Sequence, residues 1–89
     1  MKTISNGILS TSKEVLFTAV TDELIIVQLE NEKQAQSTIE CGTFTDDVFL
    51  AESNGAAMNQ RELKIEVKKG EIIFGKASID GRVGYKIIA

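Results

Sequence analysis

Apolar residues along this chain fall in short β-branched and aromatic runs separated by polar, turn-forming clusters, a pattern of strands rather than helices. The plainest stretch is near the C-terminus, where Leu63, Ile65 and Val67 alternate with Lys64, Glu66 and Lys68. A two-residue period puts the first set on a core face and the second in water. Lys69-Gly70 then turns the chain into a run from Glu71 to Ser78, and Asp80-Gly81 is the strongest hairpin signal present. Val83, Tyr85 and Ile87 share one face of the last strand, so residues 63–88 read as a three-stranded meander.

Earlier in the chain, Glu14 to Val20 reads as one strand, and Thr21-Asp22-Glu23 as the break before the next. That next strand opens with four apolar residues in succession, Leu24-Ile25-Ile26-Val27, as expected where both faces are covered. Residues 31–36 read as a loop, Ser37 to Cys41 as a strand ended by Gly42, and Val48 to Ala51 as another short strand. Residues 52–60 are small and polar with an Asn54-Gly55 turn signal, and read as the longest loop. A helix over 56–68 is the competing reading, because Ala56, Ala57, Met58, Gln60, Arg61, Glu62 and Leu63 are good helix formers.

About seven short strands with closely spaced turns predict an all-β fold, an antiparallel β-sandwich, with jelly-roll connectivity one arrangement that fits. At 89 residues the chain is expected to be a single domain over 1–89, with residues 1–13 an extended or flexible N-terminal arm. A domain of this size has a modest stability margin, so support from neighbouring molecules fits the physics.

Composition narrows the function. There is no histidine, so a general base would have to be a carboxylate or lysine with a heavily shifted pKa. No Gly-x-Ser-x-Gly elbow occurs, and Cys41, the single cysteine, has neither an imidazole to activate it nor a second thiol for a disulfide or zinc site. It reads as a small buried apolar residue. Asp46-Asp47 offers oxygen ligands, but neighbours on an extended segment point in opposite directions, and a solvated turn is the plainer reading. Gly70, Gly75, Gly81 and Gly84 match no phosphate-binding loop. The expectation is a non-enzyme without cofactor or metal.

Net charge is −3, divided as −6 over residues 1–60 and +3 over residues 61–89, an asymmetry suited to steering head-to-tail contacts or contact with a charged surface. Phe74 and Tyr85 in the basic third are a faint version of a nucleic-acid platform, against which the overall acidity argues. Phe17, Phe44, Phe49 and Phe74 read as core. The N-terminus meets polar residues too early for a signal-peptide core, and no run approaches a membrane span, so a cytoplasmic origin and no membrane partner are expected.

From Val15 onward the chain resembles a class of small bacteriophage virion proteins, the β-sandwich subunits that decorate capsids or sit at heads, necks and tails. The resemblance rests on Val15-Leu16-Phe17-Thr18-Ala19 leading through a turn to Leu24-Ile25-Ile26-Val27. It continues in Leu63 through Ile73, in Ala77-Ser78 with Asp80, and in Gly81-Arg82-Val83-Gly84-Tyr85-Lys86-Ile87. The chain departs from that class in having Val20-Thr21-Asp22-Glu23 where a Pro-x-Gly turn is usual, and in lacking an Asn-Thr-Ser-rich middle strand. The resemblance implies an oligomeric, non-enzymatic capsid decoration or head-tail accessory subunit of the virion, assembled in the host cytoplasm and binding capsid or tail proteins. The alternative is a soluble phage-encoded inhibitor of a host protein, to which the nine carboxylates of residues 1–60 would lend charge. A glycan-binding sandwich is a third reading, weakened by the lack of tryptophan.

In either leading reading function lies in contact surfaces. Candidate interface residues are Asn54, Met58 and Arg61 in the 52–62 segment, with Lys64, Glu66, Lys68, Lys76, Arg82 and Lys86 along the exposed side of the C-terminal strands.

Overall fold

The computed structural model describes residues 2–32, 35–42, 48–54 and 59–89, with segments 48–54 and 59–61 described by their backbone. Eight strands form two four-stranded antiparallel sheets among these residues. In chain order they are β1 (Thr3–Ile8), β2 (Glu14–Thr18), β3 (Glu23–Asn31), β4 (Gln36–Gly42), β5 (Val48–Asn54), β6 (Asn59–Val67), β7 (Ile72–Ala77) and β8 (Val83–Ile88). Sheet A has the order β1-β8-β3-β6 and sheet B the order β2-β7-β4-β5. The first strand pairs with the eighth, the second with the seventh, the third with the sixth and the fourth with the fifth. One long hairpin has been rolled over on itself, and the β3–β8 and β4–β7 pairs close the roll. This is jelly-roll connectivity, two Greek keys in a two-sheet sandwich.

The β-sandwich expected from the alternation is therefore present, with one strand beyond the seven because Thr3–Ile8, in the segment expected as an arm, pairs with β8. Three local expectations are corrected. Residues 63–88 are not a meander, since β6 and β8 belong to sheet A and β7 to sheet B. Asp80-Gly81 accordingly turns the chain between sheets, with Gly81 at φ 76°, a conformation that favours glycine. Residues 52–60 are not one long loop, because Glu52, Ser53 and Asn54 pair with Thr38, Ser37 and Gln36 of β4, while Asn59 and Gln60 pair with Asn31 and Glu30 of β3. Edge strands tolerate such polar sequences because backbone pairing on one side is enough to hold them. The same β6 pairing excludes the helix over 56–68.

The core lies between the sheets. Ile25, Val27, Leu29, Ile65, Val67, Val83 and Ile87 come from sheet A, and Leu16, Ile39, Cys41, Ile73 and Ala77 from sheet B. Each fully buried aliphatic side chain contributes on the order of 1.5–3 kcal/mol. Leu24 is 52 % exposed and Ile26 half-buried, so the start of β3 is covered on one face, not two. The strand buried on both faces is β7, where Ile72, Ile73, Phe74 and Gly75 are all buried.

Two sets of contacts shape the interior. Gly75 lies where a Cβ would come 2.6 Å from Leu16 Cδ1 and 3.2 Å from both Ile39 Cδ1 and Leu9 Cδ2, so three core side chains close over bare backbone. At one end of the sandwich, buried Asn31 donates from Nδ2 to the Ala35 carbonyl at 3.0 Å and accepts from the Ser37 hydroxyl at 3.4 Å. This joins the end of β3 to the start of β4 across the sheets. Backbone bonds from Glu32 to the Arg82 carbonyl and from Ser78 to the Gln36 carbonyl complete that end. At the opposite end Ala19 and Gly70 tie the 19–22 connection to the 68–71 turn.

Gly75→Ala is expected to lower stability by about 1–3 kcal/mol through overpacking. Gly84→Ala, at an outward strand position whose nearest neighbour to a new Cβ is the Gly7 carbonyl at 3.8 Å, should not lower it. Urea midpoints at unchanged slope measure both. Asn31→Ala should cost about 1–3 kcal/mol in the same assay, because it leaves buried partners without their bonds.

Candidate functional site

The outer face of sheet A is built in cross-strand rows. Alternation sends Ile25, Val27 and Leu29 inward, and so points Leu24, Ile26, Gln28 and Glu30 outward. Register then aligns Asn6, Lys86, Gln28 and Glu62 across β1, β8, β3 and β6. The next row holds Ile8, Gly84 and Glu30. Gly84 leaves the middle of that row bare, and the result is a groove of about 740 Å³ lined by Asn6, Gly7, Ile8, Gln28, Leu29, Glu30, Glu62, Gly84, Tyr85 and Lys86. Gln28 Nε2 donates to Glu62 Oε1 at 3.3 Å, drawing β3 and β6 together along one side. On the inward side of the same strands Tyr85 covers the backbone of Gly7, where a Cβ would lie 3.2 Å from the ring.

Beyond the polar rows the face becomes apolar: Ile26 pairs with Ile88, and Leu24 stands half-exposed one step further along. Val20, 77 % exposed, lies in the connection just before β3. The surface thus offers amides, charges of both signs and aliphatic groups side by side, with Lys64 beside Ile26 and Glu66 beside Leu24. No three His, Cys, Asp or Glu residues gather as a metal site among the described residues.

The sequence-derived interface residues do not form one patch. Lys64 and Lys86 share the outer face of sheet A with Glu66, on different strands. Lys68 lies in the turn after β6, and Lys76 projects from the outer face of sheet B opposite Thr38. Arg82 is at the end of the sandwich with Nη1 3.6 Å from Glu32 Oε2, where it ties two connections together. Asn54 and Arg61 are placed by backbone in β5 and β6, and Met58 lies outside the described residues, as do Asp46-Asp47 and Phe44.

The groove residues Asn6, Ile8, Gln28, Glu30, Glu62 and Gly84 were not legible as a group. Polar positions on four strands become a row only once register is known, and Thr3–Ile8 has too little alternation to announce a strand. One available signal was Gly84, out of phase with Val83, Tyr85 and Ile87 and therefore on the outer face.

On the outer face of sheet B, Phe74 is buried under Lys13, whose ammonium stands 4.9 Å from the ring centroid and 3.2 Å from Glu40 Oε2. The aromatic read as core is covered by a charge pair in place of a second apolar layer. Cys41 is buried in the core, as its reading required, and burial together with the charge of Glu71 pushes its thiol pKa up.

No protein family, curated protein or solved structure matches the chain.

Because the folded thiol holds its proton more tightly than the unfolded one, Cys41 contributes stability that is full below the ordinary value of 9.0 and lost as pH rises through the folded value. Alkylation at pH 8 is expected to be far slower in the native protein than in urea. The loss of stability above pH 9 should shrink in Cys41→Ala. Thiol-labelling rates and melting curves across pH measure the two.

Proposed function

We propose that the chain is a non-enzymatic structural subunit of a viral particle, a capsid decoration or head-tail accessory protein that acts through protein–protein contacts. The observation that carries this reading is the strand order β1-β8-β3-β6 over β2-β7-β4-β5. That connectivity is used widely in viral capsid domains, though a fold by itself hosts many functions and supports this one by analogy. The surface adds to the analogy. Exposed Ile8, Val20 and Leu24, with the mixed outer face of sheet A, supply aliphatic contact area rimmed by Lys64, Glu66 and Lys86 on a domain too small for a large margin of stability alone.

The charge asymmetry along the chain takes a different form in the fold. Rolling the hairpin sets β1 beside β8, β2 beside β7 and β3 beside β6, so the acidic and basic stretches interleave instead of forming two poles. Two oppositely charged ends therefore do not guide assembly, which falls to the contact faces.

Mass spectrometry of purified particles from the genome encoding the chain should find it at a fixed copy number. Recombinant protein should co-sediment saturably with particles that lack it. Absence from particles, together with a one-to-one, salt-sensitive complex with a host protein in lysate, would overturn the proposal in favour of an inhibitor.

A further inference from the structure

A two-sheet sandwich has four edge strands, here β1 and β6 in sheet A and β2 and β5 in sheet B. An edge exposes a row of backbone donors and acceptors that can pair with another chain, and a bulge is a common way to prevent this. Three of the four edges carry one. The register shifts between Thr3 and Ser5 in β1, between Val15 and Phe17 in β2, and opposite Ile39 and Glu40 in β5. The fourth edge, β6, pairs with β3 over nine consecutive positions without a shift, and at nine residues it is the longest of the four. Among the described residues β6 has no strand partner other than β3.

The side chains along that regular edge are ordered. From 62 to 68 the sequence is Glu-Leu-Lys-Ile-Glu-Val-Lys, with Glu62, Lys64, Glu66 and Lys68 exposed, Leu63 half-buried, and Ile65 and Val67 buried. An edge guarded by charge against its own kind would carry one sign. This one alternates in sign, and the order is antisymmetric about Ile65.

The geometry points to β6 as a dimer seam: two copies of this chain pair their β6 edges antiparallel about a two-fold axis through Ile65, joining two sheets A into one eight-stranded sheet. In that register Lys64 stands opposite Glu66 of the second copy and Glu66 opposite its Lys64, while Lys68, in the turn just past the end of β6, comes alongside Glu62 at the flanks. Each charged outward position from 62 to 66 meets its opposite charge, and the inward positions Leu63, Ile65 and Val67 continue the apolar face from one copy to the next. A shift of one residue would set apolar against charged faces. Moving the axis to Lys64 or Glu66 sets like charges opposite each other. Moving it to Leu63 leaves only the Glu62–Lys64 pairs, with Gln60 opposite Glu66. The partner is thus a second copy, specified by sign order in one register. This extends the reading of the chain as an assembly subunit and names one of its contacts.

Sedimentation equilibrium at low salt tests it, with Lys64→Glu, Glu66→Lys and the swapped double variant. Wild type is expected to dimerise, and each single reversal to weaken the dimer by roughly tenfold or more, since two symmetry-related pairs turn repulsive. The swap should restore the dimer, an outcome that registers about Leu63 or Val67 do not produce. Thermal melts confirm that each variant is folded. The Glu62→Lys and Lys68→Glu reversals with their swap repeat the test should a variant at 64 or 66 fail to fold. A wild-type monomer at sub-millimolar concentration, a dimer indifferent to the reversals, or a swap no better than the single variants would overturn the seam. If the seam is overturned in this way while particles still bind the chain, the subunit reading stands without this contact.

Discussion

Every sheet neighbour in this molecule except the β4–β5 pair is distant in sequence, and that constraint governs the rest. Six of the seven connections cross between sheets, so no local hairpin fixes register at the ends. Register has to be set by side chains meeting between the layers. Leu16 and Ile39, closing with Leu9 over Gly75, lock three adjacent strands of sheet B together, and the Asn31 clamp between β3 and β4 joins that sheet to sheet A. A β-branched residue in place of Gly75 would displace Leu16, Ile39 and Leu9 from the space they share over β7.

The alternation in the sequence revealed which face of each strand is wet, and nothing in it could reveal which strand lies alongside. Leu63, Ile65 and Val67 were readable as a core face because a two-residue period depends on one strand only. The neighbour of that strand is β3, more than thirty positions away, and it was invisible for the same reason. Asp80-Gly81 was correctly a turn, but turn chemistry does not distinguish a hairpin within a sheet from a crossing between sheets. The apolar run Leu24 to Val27 suggested double burial where one face stays open, whereas β7 is buried on both faces because Lys13 and Glu40 close over Phe74. A charged pair acting as a lid leaves no apolar signature.

The interface residues show the same limit. Lys64, Lys86, Lys76 and Arg82 share an outward phase in the sequence, but only the first two stand on one outer face, while Lys76 lies on the other sheet and Arg82 at the end of the sandwich. The groove itself depends on Gly84, whose missing side chain matters only beside Ile8 and Glu30, residues brought to it from β1 and β3.

The position of β8 bears on how the molecule comes into being. This strand lies in the interior of sheet A, between β1 and β3, although it is the last strand made. As the chain leaves a ribosome, residues 3–8 therefore wait without a neighbour until residues 83–88 arrive, and sheet A has no middle before then. Sheet A can therefore close only once residues 83–88 are available, with the slow closure that long-range strand pairing imposes. Once the partners have arrived, the bulges that pairing creates along β1, β2 and β5 make the finished edges poor templates for another copy, so the exposure of open edges is confined to the interval before closure.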